Sequence, residues 1–163
     1  MGLYFAYGAN LDRAHMARTA PTARPLGTAV LPDHRLTIGS SGYGTVIPAP
    51  GHRVSGLLWS LGPDDEAALD AFEGLAEGYY RKDERDVIDA AGTLRRVMVY
   101  LATDERPGEA HPAYLAQVVA AGRALGFSDE YLGEIIGLPT SAATTDRWTP
   151  PADRPPRLRP PER

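Results

Sequence analysis

Residues 3–11 read Leu-Tyr-Phe-Ala-Tyr-Gly-Ala-Asn-Leu. The run from Leu3 to Tyr7 is apolar and aromatic and is ended by Gly8, the pattern of a short buried strand. Asn10 then precedes residues 11–18, where Ala14, Met16 and Ala17 suggest a short helix. Asn10 is the expected N-cap of that helix, and Pro21 lies beyond its end. The stretch is therefore a strand, a tight turn and a helix. Small residues at Gly8 and Ala9 let a ligand come close to the backbone. The first amides of the following helix have no intrahelical partner and suit a carboxylate or an oxyanion. An ordinary turn capped by Asn10 accounts for the same residues, so this stretch alone leaves both readings open.

Working outward, residues 35–38 suggest a strand and residues 39–44 (Gly-Ser-Ser-Gly-Tyr-Gly) a flexible loop. Residues 54–61 (Val-Ser-Gly-Leu-Leu-Trp-Ser-Leu) form a clear strand, broken by Gly62-Pro63. A helix is expected over 64–73, with Asp64, Asp65 and Glu66 at the positive end of its dipole. Leu69 and Phe72 face the core, and Gly74 suits the C-terminal cap. Residues 80–88 read as a very polar strand, expected at a sheet edge. After a turn at 89–92, residues 94–102 return, with Val97, Val99 and Leu101 alternating against Met98 and Tyr100. Pro112 opens the longest helix, whose Leu115, Val118, Val119 and Gly122 share one face. Ser128 can cap a last helix carrying Leu132, Ile135 and Ile136. Strands come early and centrally, helices between and late. The expected fold class is α+β, a small, mainly antiparallel sheet or barrel with flanking helices.

A chain of 163 residues fits one domain. That domain is expected to span residues 1–146. Residues 147–163 hold three Pro-Pro pairs among arginines and few apolar residues, so they should form an extended, flexible tail. The net charge of −4 gives no basic footprint for nucleic acid. The absence of cysteine excludes thiol nucleophiles, disulfides and Cys-ligated metals. Neither a leader peptide nor a membrane-length apolar run is visible, which points to a cytoplasmic protein. His15, His34, His52 and His111 lack metal-ligand spacing and are expected on the surface or at caps. No P-loop, dinucleotide fingerprint or Gly-x-Ser-x-Gly occurs.

Glu73 is the notable titratable residue. It follows Phe72, leans toward the apolar side of its helix, and sits at the negative end of the dipole. Both conditions disfavour the ionised carboxylate. A carboxyl group tuned upward can serve as both base and acid near neutral pH. A solvated helix-end glutamate is the plain alternative, and Glu77 reads as a loop residue.

Taken together, the motifs are specific. Residues 3–11 resemble the signature YFAYGSNL of the gamma-glutamylcyclotransferase family. Val54-Ser55-Gly56-Leu57-Leu58-Trp59 resembles its V-x-G-x-x-W strand. Leu69-Asp70-Ala71-Phe72-Glu73-Gly74 resembles its L-D-x-x-E-G segment. The similarity continues through Tyr80, Tyr100 and His111-Pro112-Ala113-Tyr114 to about residue 136.

The resemblance implies a small mixed barrel with flanking helices and an enzyme that cyclises a gamma-glutamyl group to 5-oxoproline. It implies Glu73 as acid/base. It implies a substrate pocket from Tyr4, Phe5, Ala6, Tyr7, Gly8, Ala9 and Asn10, with Tyr80, Tyr100 and Tyr114 adding polar contacts. The expected partner is a small-molecule gamma-glutamyl substrate, with no cofactor, metal, nucleic acid or membrane, and homodimerisation is left open. Ala9 departs from the family's serine and bears on the leaving group. Three alternatives stand beside this reading: a cyclotransferase for gamma-glutamyl amines, a binding module of the same fold without catalysis, and a scaffold interaction through the Pro/Arg-rich tail.

Overall fold

The structure, a computed structural model, describes residues 2–141 of the chain. The expected domain boundary at residue 146 and the Pro/Arg-rich tail lie outside the described residues. Five strands are β1 (Gly2–Ala6), β2 (Arg24–Ile38), β3 (Gly44–Leu61), β4 (Tyr80–Asp89) and β5 (Leu94–Ala102). They close into a barrel in the order β1-β3-β2-β4-β5. All neighbouring pairs are antiparallel except β1 and β5, which run parallel and meet at Tyr4 and Met98. The mixed, mainly antiparallel barrel expected from the sequence is the fold observed.

Strand alternation sorts the side chains into two cores. Phe5, Leu31, Val54, Leu58, Val87, Val97 and Val99 fill the barrel interior. Tyr4, Ala6, Leu57, Trp59 and Tyr100 point the other way, into a layer shared with the helices. Each fully buried Leu or Phe contributes about 1.5–3 kcal/mol through burial. Gly56 in β3 lets β1 approach closely, since a Cβ there would lie 2.4 Å from the Ala6 carbonyl and the Phe5 ring.

Three sequence expectations change. First, β2 and β3 form a far longer hairpin than residues 35–38 and 54–61 suggested. Prolines at 25, 32, 48 and 50 interrupted the strand pattern, yet the ladder tolerates them. Register shifts fall between Pro25 and Gly27 and between Pro32 and His34, where unpaired residues absorb the missing donors. Asp33 takes φ 56° at the second shift, and its carboxylate accepts a bond from Gly51 N at 3.0 Å.

Second, β4 is not an edge. Barrel closure places it between β5 and β2, although β2 pairs with it only at Ala29–Asp89 and Val30–Ile88. Its polar side chains remain exposed on the outer face, which is why it reads like an edge. Third, Asn10 does not cap the first helix. A 3-10 turn occupies Ala9–Leu11, and α1 (Arg13–Thr19) starts after Asp12. Asp12 Oδ1 accepts from Ala14 N at 2.9 Å and His15 N at 3.2 Å, an acidic cap that also favours the helix dipole.

The remaining helices are α2 (Pro63–Glu73), α3 (Pro112–Ala124) and α4 (Asp129–Ile136). In α2 the acidic first turn is anchored by Asp65, which accepts from Gly62 N at 3.0 Å and from the Thr22 hydroxyl at 2.6 Å. Gly74 ends α2 at φ 71°, as expected for a left-handed cap. His111 and Ser128 cap α3 and α4. Leu115, Val118, Val119 and Gly122 face the helical core, joined by Leu132 and Ile135, while Ile136 points outward. Among the described residues, no helix is long and apolar enough to cross a membrane.

Candidate active site

Where β1 leaves the barrel, the chain makes its 3-10 turn against the end of α2. Leu11 N and Asp12 N close that turn on the carbonyls of Gly8 and Ala9, at 3.0 and 3.1 Å. The amides of Ala9 and Asn10 find no partner within the turn, so they are the donors the turn can offer an anion. The α1 N-terminus, expected to take this role, is already filled by the Asp12 carboxylate.

Asn10 is pinned from three sides. Its carbonyl accepts from Trp59 Nε1 at 3.1 Å. Its side-chain Nδ2 donates to the Tyr4 hydroxyl at 2.8 Å and reaches Glu73 Oε1 at 3.4 Å. Asn10 thus turns inward to the site instead of capping a helix. Glu73 is the last residue of α2 and is half-buried. Asp70, one turn earlier, is held by β4 and β5. Tyr100 donates to Asp70 Oδ1 at 2.7 Å, and Lys82 donates to Asp70 Oδ2 and Glu66 Oε1, both at 2.9 Å.

The opposite wall is built around Gly44. Its amide donates to the Tyr114 hydroxyl at 3.0 Å, and its carbonyl accepts from the Tyr80 hydroxyl at 2.8 Å. A Cβ on Gly8 or Gly44 would lie 2.9 or 3.0 Å from the Tyr114 oxygen, so both positions need glycine for this approach. Tyr43 packs edge-on to Tyr114 with centroids 5.3 Å apart. Tyr7 donates to the Tyr100 carbonyl behind the wall.

These groups line a narrow, partly open cleft. It is lined by Tyr4, Tyr7, Gly8, Ala9, Asn10, Glu73, Tyr80, Tyr100 and Tyr114, together with Tyr43, Gly44 and Phe72. Glu73 is the one formally charged side chain among them. Burial pushes the Tyr4 and Tyr7 phenols well up, and the nearby Glu73 charge adds to this for both. Burial, reinforced by the bond to Asp70, does the same for Tyr100. The phenols therefore stay protonated at neutral pH and offer hydrogen bonds, not charge.

Most of the residues expected in the site from sequence are brought together. Phe5 and Ala6 are not part of the lining: both are fully buried, Phe5 inside the barrel and Ala6 beneath the helices. Tyr4, on the helix-facing side of β1, and Tyr7, just past the end of that strand, are the residues of the Leu3–Tyr7 run that line the cleft. Tyr43, Gly44 and Phe72 were not anticipated individually as lining residues. The Gly-rich composition of 39–44 was the available signal for the first two. His15, expected at the surface, is fully buried against Phe72 at a centroid distance of 5.0 Å. Among the described residues, no cluster of His, Asp or Glu forms a metal-ligating group.

Residues 4–117 match the family model described as gamma-glutamyl cyclotransferase, AIG2-like. The chain belongs to this family. Human gamma-glutamylcyclotransferase is 30% identical over 141 residues, covering 79% of this chain and 74% of the human protein. The mouse protein of the same name is 29% identical over the same coverage. A solved gamma-glutamyl cyclotransferase superposes with a TM-score of 0.79 at 26% identity, covering 90% of this chain and 96% of that one. A yeast cyclotransferase described as specific to glutathione shares the fold with a TM-score of 0.54 at 11% identity, over 83% of this chain and 93% of the yeast chain. Within this AIG2-like family member, the cleft of phenols around one carboxyl group is where the family's chemistry has to be sought.

Proposed function

We propose that this family member cyclises a gamma-glutamyl group to 5-oxoproline, with Glu73 as the acid/base. The observation carrying this reading is the placement of Glu73: a single carboxyl group in a cleft otherwise lined by uncharged groups, with Oε1 tethered by Asn10. Such a carboxyl can take a proton from the substrate's α-amine. The amine nitrogen then attacks the γ-carbonyl carbon, forming the ring C–N bond. The original amide C–N bond breaks, and the leaving nitrogen receives the proton from Glu73. One group moving one proton out and back suffices, because both nitrogens are attached to the same reacting carbon during the step.

The cleft also favours the folded conformer this attack requires. Confinement between the Tyr4–Glu73 side and the Gly44 wall brings amine and carbonyl together, an effect that can supply about 7–11 kcal/mol of a barrier. The Ala9 and Asn10 amides suit the substrate's α-carboxylate. A panel of gamma-glutamyl amino acids, gamma-glutamyl amines and glutathione, assayed chromatographically for 5-oxoproline, tests the reading. Turnover of at least one member is expected, and the preferred member identifies the leaving group. A folded protein inactive on the whole panel would contradict the proposal and favour a binding module.

A further inference from the structure

The hydrogen-bonding arithmetic around Asn10 leaves two atoms uncommitted. An amide NH₂ can only donate, so the 2.8 Å bond from Asn10 Nδ2 makes the Tyr4 oxygen an acceptor. The orientation of the amide is set by Glu73: turning Oδ1 toward Oε1 would oppose two acceptors, one of them carrying a formal charge. Tyr4 consequently keeps its single hydroxyl proton for a different partner, and no acceptor for it occurs among its hydrogen bonds in the described residues. Asn10 Oδ1 is likewise buried with no hydrogen-bond partner. Asn10 is only 3% exposed and Tyr4 only 4%, and both line the cleft. A buried donor and a buried acceptor without partners each cost about 1–3 kcal/mol, a cost that a ligand can relieve.

Three other phenols of the cleft are placed differently. Tyr7 gives its proton to the Tyr100 carbonyl, Tyr80 to the Gly44 carbonyl, and Tyr100 to Asp70. Those three hold the walls in place. Tyr4 is held instead as an acceptor, beside the carboxyl group that would move the proton.

We infer that the Tyr4 hydroxyl is a side-chain donor to the γ-carbonyl oxygen of the scissile amide, oriented by Asn10, whose Oδ1 accepts an N–H of the attacking α-amine. This rests on the cyclisation reading above. No proton leaves Tyr4: its phenol donates a hydrogen bond that strengthens as negative charge builds on the carbonyl oxygen, while the transferred proton passes through Glu73. Burial keeps Tyr4 a phenol throughout, so the donor is present over the working pH range. Asn10 supplies the acceptor on the amine and holds both Tyr4 and Glu73 through one NH₂ group.

The test uses the full chain and the substrate selected by the panel. Tyr4→Phe keeps the ring, and with it the edge-on contact to Tyr100, while removing the donor. It is expected to lower kcat by roughly 10²–10³-fold with KM little changed, the loss typical of an oxyanion donor. Asn10→Asp offers Tyr4 a carboxylate acceptor in place of the substrate, so a comparable fall in kcat is expected. Asn10→Ala removes a donor to the Glu73 carboxylate, so the acid limb of its kcat–pH profile should move to higher pH, which loss of packing alone would not produce. The Tyr4→Phe/Asn10→Ala double variant should lose less than the product of the two single losses. Tyr4→Phe with kcat within about threefold of wild type would overturn the inference, the expected donor loss being at least ~10²-fold. So would strict additivity of the two single losses. If Glu73→Gln abolishes turnover while Tyr4→Phe does not, the cyclisation reading stands and this inference fails. If Glu73→Gln retains turnover, or wild type makes no 5-oxoproline, the reading itself fails and the inference with it.

Discussion

Tyr100 and Asp70 are joined by a 2.7 Å hydrogen bond that ties β5 to the last turn of α2. Lys82, the cross-strand partner of Tyr100, holds the other oxygen of the same carboxylate at 2.9 Å. Adjacent strand residues thus grip the helix three positions before Glu73. Tyr100→Phe removes a bond to a charged acceptor, and should lower unfolding free energy by about 1.5–3 kcal/mol in urea titration. Lys82→Ala should cost less, about 0.2–1 kcal/mol, because that pair is partly solvated and shielded. Equal costs for both would show that the phenol is not the principal anchor.

Gly56→Ala tests the close approach of β1 and β3. The added methyl would meet the Ala6 carbonyl and the Phe5 ring at 2.4 Å, and neither can move without disturbing the barrel. Overpacking of this kind costs about 1–3 kcal/mol or more. A marked fall in melting temperature or loss of soluble expression is expected, and wild-type stability would show that the strands can separate freely.

Acid stability should depend on Asp65. Its desolvation pushes the carboxyl up, but hydrogen bonds from the Thr22 hydroxyl, Gly62 N and Thr22 N together outweigh this and hold it below the usual carboxylate range. A depressed folded value means the contribution is fully present above the unfolded value, about pH 4, and is lost as pH falls through the folded value. Asp65→Asn should therefore be less stable than wild type at neutral pH, with the gap narrowing below about pH 4. A gap of constant size across that window would contradict the assignment.

At alkaline pH the sign reverses. Burial raises the Tyr4, Tyr7 and Tyr100 phenols above their ordinary values. A raised folded value gives stability that is intact below the unfolded value, about pH 10, and is lost as pH climbs toward the folded value. Tyrosinate absorbance should accordingly show these phenols ionising only together with unfolding. Their ionisation in a still-folded protein, followed by circular dichroism, would contradict the buried placement.

How far the sequence carried these conclusions depends on the kind of signal. The α2 helix and its Gly74 stop were legible because capping and dipole preferences are local. The 94–102 strand was legible because Val97, Val99 and Leu101 alternate. The long β2–β3 hairpin was not, because its prolines sit where register shifts, a nonlocal feature, remove the need for their donors. The polarity of β4 suggested an edge because barrel closure cannot be read from one strand's exposed face. In the site, Glu73 and the 4–10 turn stood out through residue pattern. The inward turn of Asn10 did not, since Asn before a helix is a good cap and only the fold brings Glu73 within 3.4 Å of it. Phe5 and Ala6 fall outside the pocket for different reasons: alternation along β1 directs Phe5 into the barrel, whereas Ala6 shares the face of Tyr4 but its short side chain is fully buried beneath the helices.

The most direct test of the central claim is the rate of 5-oxoproline release by Glu73→Gln on the substrate wild type prefers, with 5-oxoproline binding and thermal unfolding measured in parallel. Glutamine keeps the shape and can still meet Asn10 but cannot carry a proton. The expected result is a fall in kcat of roughly 10²–10⁴-fold with binding and fold retained. Release at a rate near wild type by the folded variant would contradict the assignment of Glu73 as the proton carrier.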